Sequence, residues 1–80
     1  MSKRKKFYER LKTIPNDIKF DELKNFLQAQ GFIVDEKGGG SHIFFKYEET
    51  KIPIPKHGIV KRCYIEKVIE IIELYGIEIR

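Results

Sequence analysis

Eighty residues, 41% of them hydrophobic, suffice for one small globular domain, of a size that buries only about 60% of the surface its unfolded chain exposes. Sixteen lysines and arginines against twelve aspartates and glutamates leave a net charge of +4, which favours an anionic partner. The lone cysteine, Cys63, excludes an internal disulfide and a cysteine-built metal site, and with them secreted disulfide scaffolds and zinc fingers.

The N-terminal segment carries Lys3, Arg4, Lys5, Lys6, Arg10 and Lys12 against Glu9 alone. Six cations less one carboxylate make +5, more than the surplus of the whole chain, so the remainder is slightly acidic. Lys3 to Lys6 are followed by Phe7-Tyr8-Glu9-Arg10, not by the apolar core of a signal peptide. No apolar run approaches the roughly 20 residues that cross a bilayer, and the chain reads as cytoplasmic. Phe7, Leu11 and Ile14 fall at i, i+4 and i+7, one helix face, which predicts a short helical turn docked on the body before Pro15. For the basic charges three roles stand side by side: solubilising tail, nucleic-acid contact and partner-docking arm.

Pro15-Asn16-Asp17 signals a turn. From Phe20, Leu23, Phe26 and Leu27 recur at helix spacing, Asp21 and Glu22 suit the helix dipole in the first turn, and Gly31 stops the helix. Phe32-Ile33-Val34 is β-rich, Gly38-Gly39-Gly40 makes a flexible connection, and Ser41 to Glu48 reads as a second strand. Lys51-Ile52-Pro53-Ile54-Pro55 alternates as a third strand, which its prolines confine to a sheet edge. From about Arg62 to Tyr75, Ile65, Val68, Ile69, Ile72 and Tyr75 form an apolar stripe that Gly76 closes. The sum is an α+β two-layer sandwich, a three-stranded antiparallel sheet with two helices on one face and a short N-terminal helical extension.

Strand alternation sends Ile43, Phe45 and Tyr47 to the helices and His42, Phe44, Lys46 and Glu48 to the open face, where Lys51 and Pro53 join them. Lysines that meet phosphates, a ring that stacks on a base and an imidazole that moves protons near neutral pH suit RNA. Each residue also has a plainer reading. His42 can be a strand-start residue capping a loop carbonyl, Phe44 an aromatic packed on a neighbour or a partner, and Lys46 and Lys51 charges that guard an edge strand. Ser41 and the glycines before it leave room for a phosphate or another backbone. A second constellation, Pro55-Lys56-His57-Gly58 with Lys61-Arg62 at the start of the last helix, can hold an anion or consist of ordinary loop charges. Cys63 reads as a small packing residue, since no third group is evident to orient a Cys-His pair. The two histidines and scattered carboxylates show no metal-ligand spacing, so neither metal nor cofactor is expected.

Four stretches together carry a family likeness: Leu23 to Phe32 (LKNFLQAQGF), Gly40-Ser41-His42-Ile43-Phe44-Phe45, Ile52-Pro53-Ile54-Pro55-Lys56-His57-Gly58, and a final apolar helix. The run from about Phe20 to Gly76 resembles the HicA toxins, also described as YcfA-like mRNA interferases. The resemblance implies a HicA-like core over 20–76, to which the charge run adds a basic extension over 1–15 within the single domain of 1–80 that the length allows. It also implies a double-stranded-RNA-binding-domain-like fold, metal-independent mRNA endoribonuclease activity, and neutralisation by a HicB-like antitoxin covering the active site. By the same likeness His42 is the catalytic residue and His57 a second histidine of the family. Cys63-Tyr64-Ile65 and the N-terminal extension depart from the pattern. Two other classes of function remain: an RNA-binding module of the same fold without catalysis, and a protein-docking domain for which nucleic acid is irrelevant.

Overall fold

The computed structural model describes residues 3–36, 42–56 and 58–80. The elements run α1 (Lys3–Leu11), α2 (Phe20–Ala29), β1 (Ile33–Asp35), β2 (His42–Tyr47), β3 (Thr50–Pro55) and α3 (Arg62–Tyr75). The three strands form one antiparallel sheet in the order β1-β2-β3. The fold is α+β, with three helices and a three-stranded antiparallel sheet, and is consistent with a double-stranded-RNA-binding-domain-like arrangement. The glycine triplet and Ser41 lie outside the described residues.

Both long helices end as their glycines dictate. Gly31 adopts φ +96° and Gly76 φ +60°, left-handed values that cost a residue without Cβ nothing. Beyond each, an amide reaches back to the last turn: Phe32 N–H donates to the Leu27 carbonyl and Ile77 N–H to the Ile72 carbonyl, both at 3.0 Å. These 6→1 bonds satisfy carbonyls the helices would otherwise leave open.

The core is the inward half of every element: Leu23, Phe26 and Leu27 from α2, Ile43 and Phe45 from β2, Ile52 and Ile54 from β3, and Ile65, Val68, Ile69 and Ile72 from α3. Three observations differ from the sequence reading. The first strand is shifted one residue along, because Phe32 is buried in the core while Ile33 stands on the opposite, open side at 65% exposure. Tyr75 is not core: it is 37% exposed, its hydroxyl hydrogen-bonded to that of Thr50 at 2.8 Å and its ring edge-on to Tyr47. Ile71 is buried instead, at 7% exposure beside Ile72, so α3 is covered over a wider arc than one sheet-facing stripe. Cys63 is exposed, because the first turn of α3 turns Ile65 fully and Tyr64 partly toward the core and leaves Arg62 and Cys63 to solvent.

The N-terminal helix is integral to this core. Leu11 is fully buried. Phe7 and Tyr8 both pack on Phe26, with ring centroids 5.1 and 6.3 Å away. The helix ends at Leu11, short of Pro15, and the chain then turns through Ile14, whose φ of +50° is left-handed. A β-branched residue is strained there, and it is held by packing against the core and by Arg62, whose Nε donates to the Ile14 carbonyl at 2.9 Å. Arg10 closes the same connector with an ion pair to Asp17 at 2.9 Å. The C-terminal segment is fastened through Gln30, a buried amide that donates to the Arg80 carbonyl and accepts from its N–H.

Two predictions follow from the position of α1. Leu11→Ala should cost about 3 kcal/mol in urea unfolding, the range for emptying a buried leucine site; a value near zero would make the segment a tail. Burial, reinforced by Glu73 and opposed by Lys12, raises the Tyr8 phenol above its ordinary pKa. Lys12 is likewise raised, chiefly by its hydrogen bond to Glu9. Both groups hold their protons more firmly in the folded chain, so the stability they contribute is complete below pH ~10 and is lost as pH rises through the elevated values. Urea midpoints at pH 9 and pH 11 should show a smaller alkaline loss in Tyr8→Phe than in the wild type.

Candidate nucleic-acid interface

Cross-strand register decides which side chains share the open face. His42 pairs with Pro55, Phe44 with Pro53 and Lys46 with Lys51 across β2–β3. Asp35 pairs with Phe44 and Ile33 with Lys46 across β1–β2. Directly opposed residues lie on one face, so the outward set is Ile33 and Asp35 from β1, His42, Phe44 and Lys46 from β2, and Lys51, Pro53 and Pro55 from β3. β3 is an edge strand, where its prolines forfeit no ladder bond on the solvent side. β2 lies between two partners, and it carries the histidine, ring and lysine.

The face is electrostatically ordered. The Lys51 ammonium sits over the Phe44 ring, 4.2 Å from its centroid, a cation–π contact that places positive charge on an aromatic surface. Lys46 Nζ is 3.9 Å from Asp35 Oδ2, with side chains 45% and 28% exposed; such a pair is worth little energetically and exchanges readily. His42 is exposed at the strand start.

Pairing of His42 with Pro55 joins what the sequence left as two constellations. It sets the imidazole beside the turn that begins at Lys56. That turn is stitched to the start of α2: Phe20 N–H donates to the Gly58 carbonyl at 3.0 Å and Val60 N–H to the Ile18 carbonyl at 2.8 Å, with a β-bridge between Lys19 and Ile59. A cleft of about 240 Å³ results, lined by Lys19, Phe20, Asp21, Lys56, Gly58 and Ile59. Lys19 and Asp35 therefore belong to the neighbourhood of the site and were not singled out from sequence. Asp35 could have been found by extending the first strand one residue; Lys19 carries no sequence signal, since the Ile18–Val60 pairing that positions it is long-range.

Of the other predicted contacts, Lys61 caps α3 from an exposed position without a side-chain cap bond. Arg62 spends its Nε on the Ile14 carbonyl, tying α3 to the connector between α1 and α2. Ser41 and His57 lie outside the described residues. Glu48 leaves the strand for the β2–β3 turn, at φ +52°. No group of three or more His, Cys, Asp or Glu that could hold a metal ion occurs among the described residues, and no helix there is long and apolar enough to cross a membrane.

A family model described as the HicA toxin of bacterial toxin–antitoxin systems matches residues 20–76. No curated protein and no solved structure matches the chain. The matched span contains α2, the whole sheet and α3, and leaves α1 outside it.

The division of labour between Arg62 and the open face is testable. Arg62→Gln should lower stability by about 1 kcal/mol through loss of the bond to Ile14, while Lys51→Gln, whose contact is to a surface ring, should stay within about 0.5 kcal/mol; urea unfolding of the two variants checks the order.

Proposed function

Because the chain belongs to the HicA family, toxins of bacterial toxin–antitoxin systems, we propose that it is an mRNA endoribonuclease that needs no metal and uses His42 in the chemical step. The observation that carries this reading is the register of β2, which sets His42 at one end of an open face that also holds an aromatic ring and two lysines. RNA supplies its own nucleophile. A base removes the proton of the 2′-hydroxyl, the oxygen attacks the adjacent phosphorus, an acid protonates the departing 5′-oxygen, and cations stabilise the charge that builds on the phosphorane. An imidazole, with an ordinary pKa of about 6.5, serves at neutral pH as such a base or acid.

The remaining groups take roles that fit their places. Lys46 and Lys51 meet phosphates along the strand, and Lys56, in the turn beside His42, faces the phosphate next to the imidazole. Charge stabilisation of this kind contributes more than any single proton transfer. Phe44 stacks on a base once Lys51 has moved from its ring to a phosphate. Ser41 and His57, outside the described residues, keep the RNA-contacting roles that their sequence neighbourhood suggests, and Lys61 and Arg62 extend the cationic surface at the start of α3. The family implies an antitoxin partner; in this reading it is a HicB-like protein that covers the open face and excludes RNA from His42.

Purified wild type and His42→Ala, matched by circular dichroism, should be compared on a defined RNA with EDTA present. The wild type should cleave, and the variant should lose at least about a hundredfold in rate. Equal cleavage by both would sink the assignment of His42. Absence of cleavage by either, with RNA still retained, would favour a binding module. With three phosphate contacts, affinity for an uncleavable single-stranded oligonucleotide should fall roughly twentyfold between 50 and 200 mM salt.

A further inference from the structure

Two charged surfaces on the helices stand outside the candidate site. α1 opens on four cations, Lys3 to Lys6, with no carboxylate in its first turn, although the start of a helix is its positive pole. α3 has the opposite imbalance: Glu73 stands in its last turn, at the negative pole, with Glu70 shortly before it and no base there. Lys3, Arg4, Glu66, Glu70 and Glu73 form no ion pair among the described residues. Each pole thus carries an excess of the charge that the other lacks. Each surface also has an apolar part. Between α1 and α2 an open groove of about 420 Å³ is lined by Lys3, Arg4, Phe7, Glu22, Asn25 and Phe26, with the Phe7 and Phe26 ring centroids 5.1 Å apart. Glu22, the one carboxylate of this lining, is turned to Arg10 at 3.7 Å. On α3, Leu74 is 75% exposed, the most of any large apolar side chain among the described residues, and it lies one turn from Glu70. A ridge of carboxylates that ends in a bare leucine complements a groove of cations and aromatic rings in both charge and polarity.

We propose that the α1–α2 groove is a self-association surface, which takes Leu74 and the Glu70 carboxylate of a second copy of this chain, reciprocally, in a two-fold dimer. Each chain owns one groove and one ridge, so two reciprocal contacts use both and the assembly closes. The exposure of Leu74 shows that the ridge does not fill the groove of its own chain. α1 lies outside the family match, so the pairing belongs to this chain and is not a property carried by the family. It is independent of the reading of His42.

Sedimentation equilibrium of the full chain at about 0.5 mM, where even a contact with Kd of about 0.1 mM pairs most chains, should give the mass of two chains, and Leu74→Ser should give the mass of one. Arg4→Glu and Glu70→Lys should each weaken pairing at least about tenfold, because each sets like charges against one another twice in the dimer. Both exchanges suit the poles of their own helices, so neither should lower stability to urea; this separates a lost contact from a lost fold. An equimolar mixture of the two variants should pair again, since both contacts of the mixed dimer then join opposite charges. A monomeric wild type, an assembly that grows past two chains, or charge-exchanged variants that fail to recombine overturns the proposal. In a monomeric wild type, a shift of the Phe7 ring signals in proton NMR on adding polyuridylate would give the groove to RNA instead, and a shift on adding a peptide of glutamate and leucine would give it to an acidic protein.

Discussion

The period-two alternation of β2 is the constraint on which the rest depends. Ile43 and Phe45 are driven into the core against Ile54 and Ile52 of β3, and the same pleat that buries them sends His42, Phe44 and Lys46 outward. A slip of one residue would bury a histidine and a lysine and expose two large apolar side chains. Hydrophobic burial therefore fixes the geometry of the polar face, with no need for polar groups to hold one another. This is why the contacts on that face can be weak and exchangeable, as the Lys46–Asp35 and Lys51–Phe44 pairs are, while the backbone beneath them stays in place.

The second organising feature is the closure of the layer behind the sheet. The family match begins at residue 20, yet Leu11 is fully buried and Phe7 and Tyr8 pack on Phe26. The segment before the match has thus become part of the hydrophobic core of a domain too small to bury much surface otherwise. Its lysines remain exposed while its rings pack on α2 of the helical layer. Arg62 and Arg10 serve that layer: one holds the strained Ile14 connector, and the other pairs with Asp17.

Much of this was legible in the residues. Gly31 and Gly76 marked the helix ends, Pro53 and Pro55 marked an edge strand, and the alternation of residues 42–47 separated core from open face. The errors fall where burial depends on a neighbour distant in sequence. Tyr75 looked like stripe because its spacing is right, but the strand turn opposite it offers Thr50 and Tyr47, a polar partner and a ring edge. Cys63 looked like a packing residue because it is small, but in the first turn of α3 it is Ile65 and, in part, Tyr64 that meet the core, while Cys63 faces solvent.

Sequence by itself determined the α+β class, the element order, the strand faces and the candidacy of His42, because periodicity, helix stops and proline placement act over a few residues. Only the tertiary structure decided that Asp35 joins the open face beside Lys46, that the Lys56 turn follows the residue paired with His42, that Lys19, just before α2, lines a cleft with Lys56, and that α1 is core. Each of these is a pairing between segments far apart in the chain, set by strand register and by the closing of one hydrophobic core, and no local pattern encodes a register that two strands choose together.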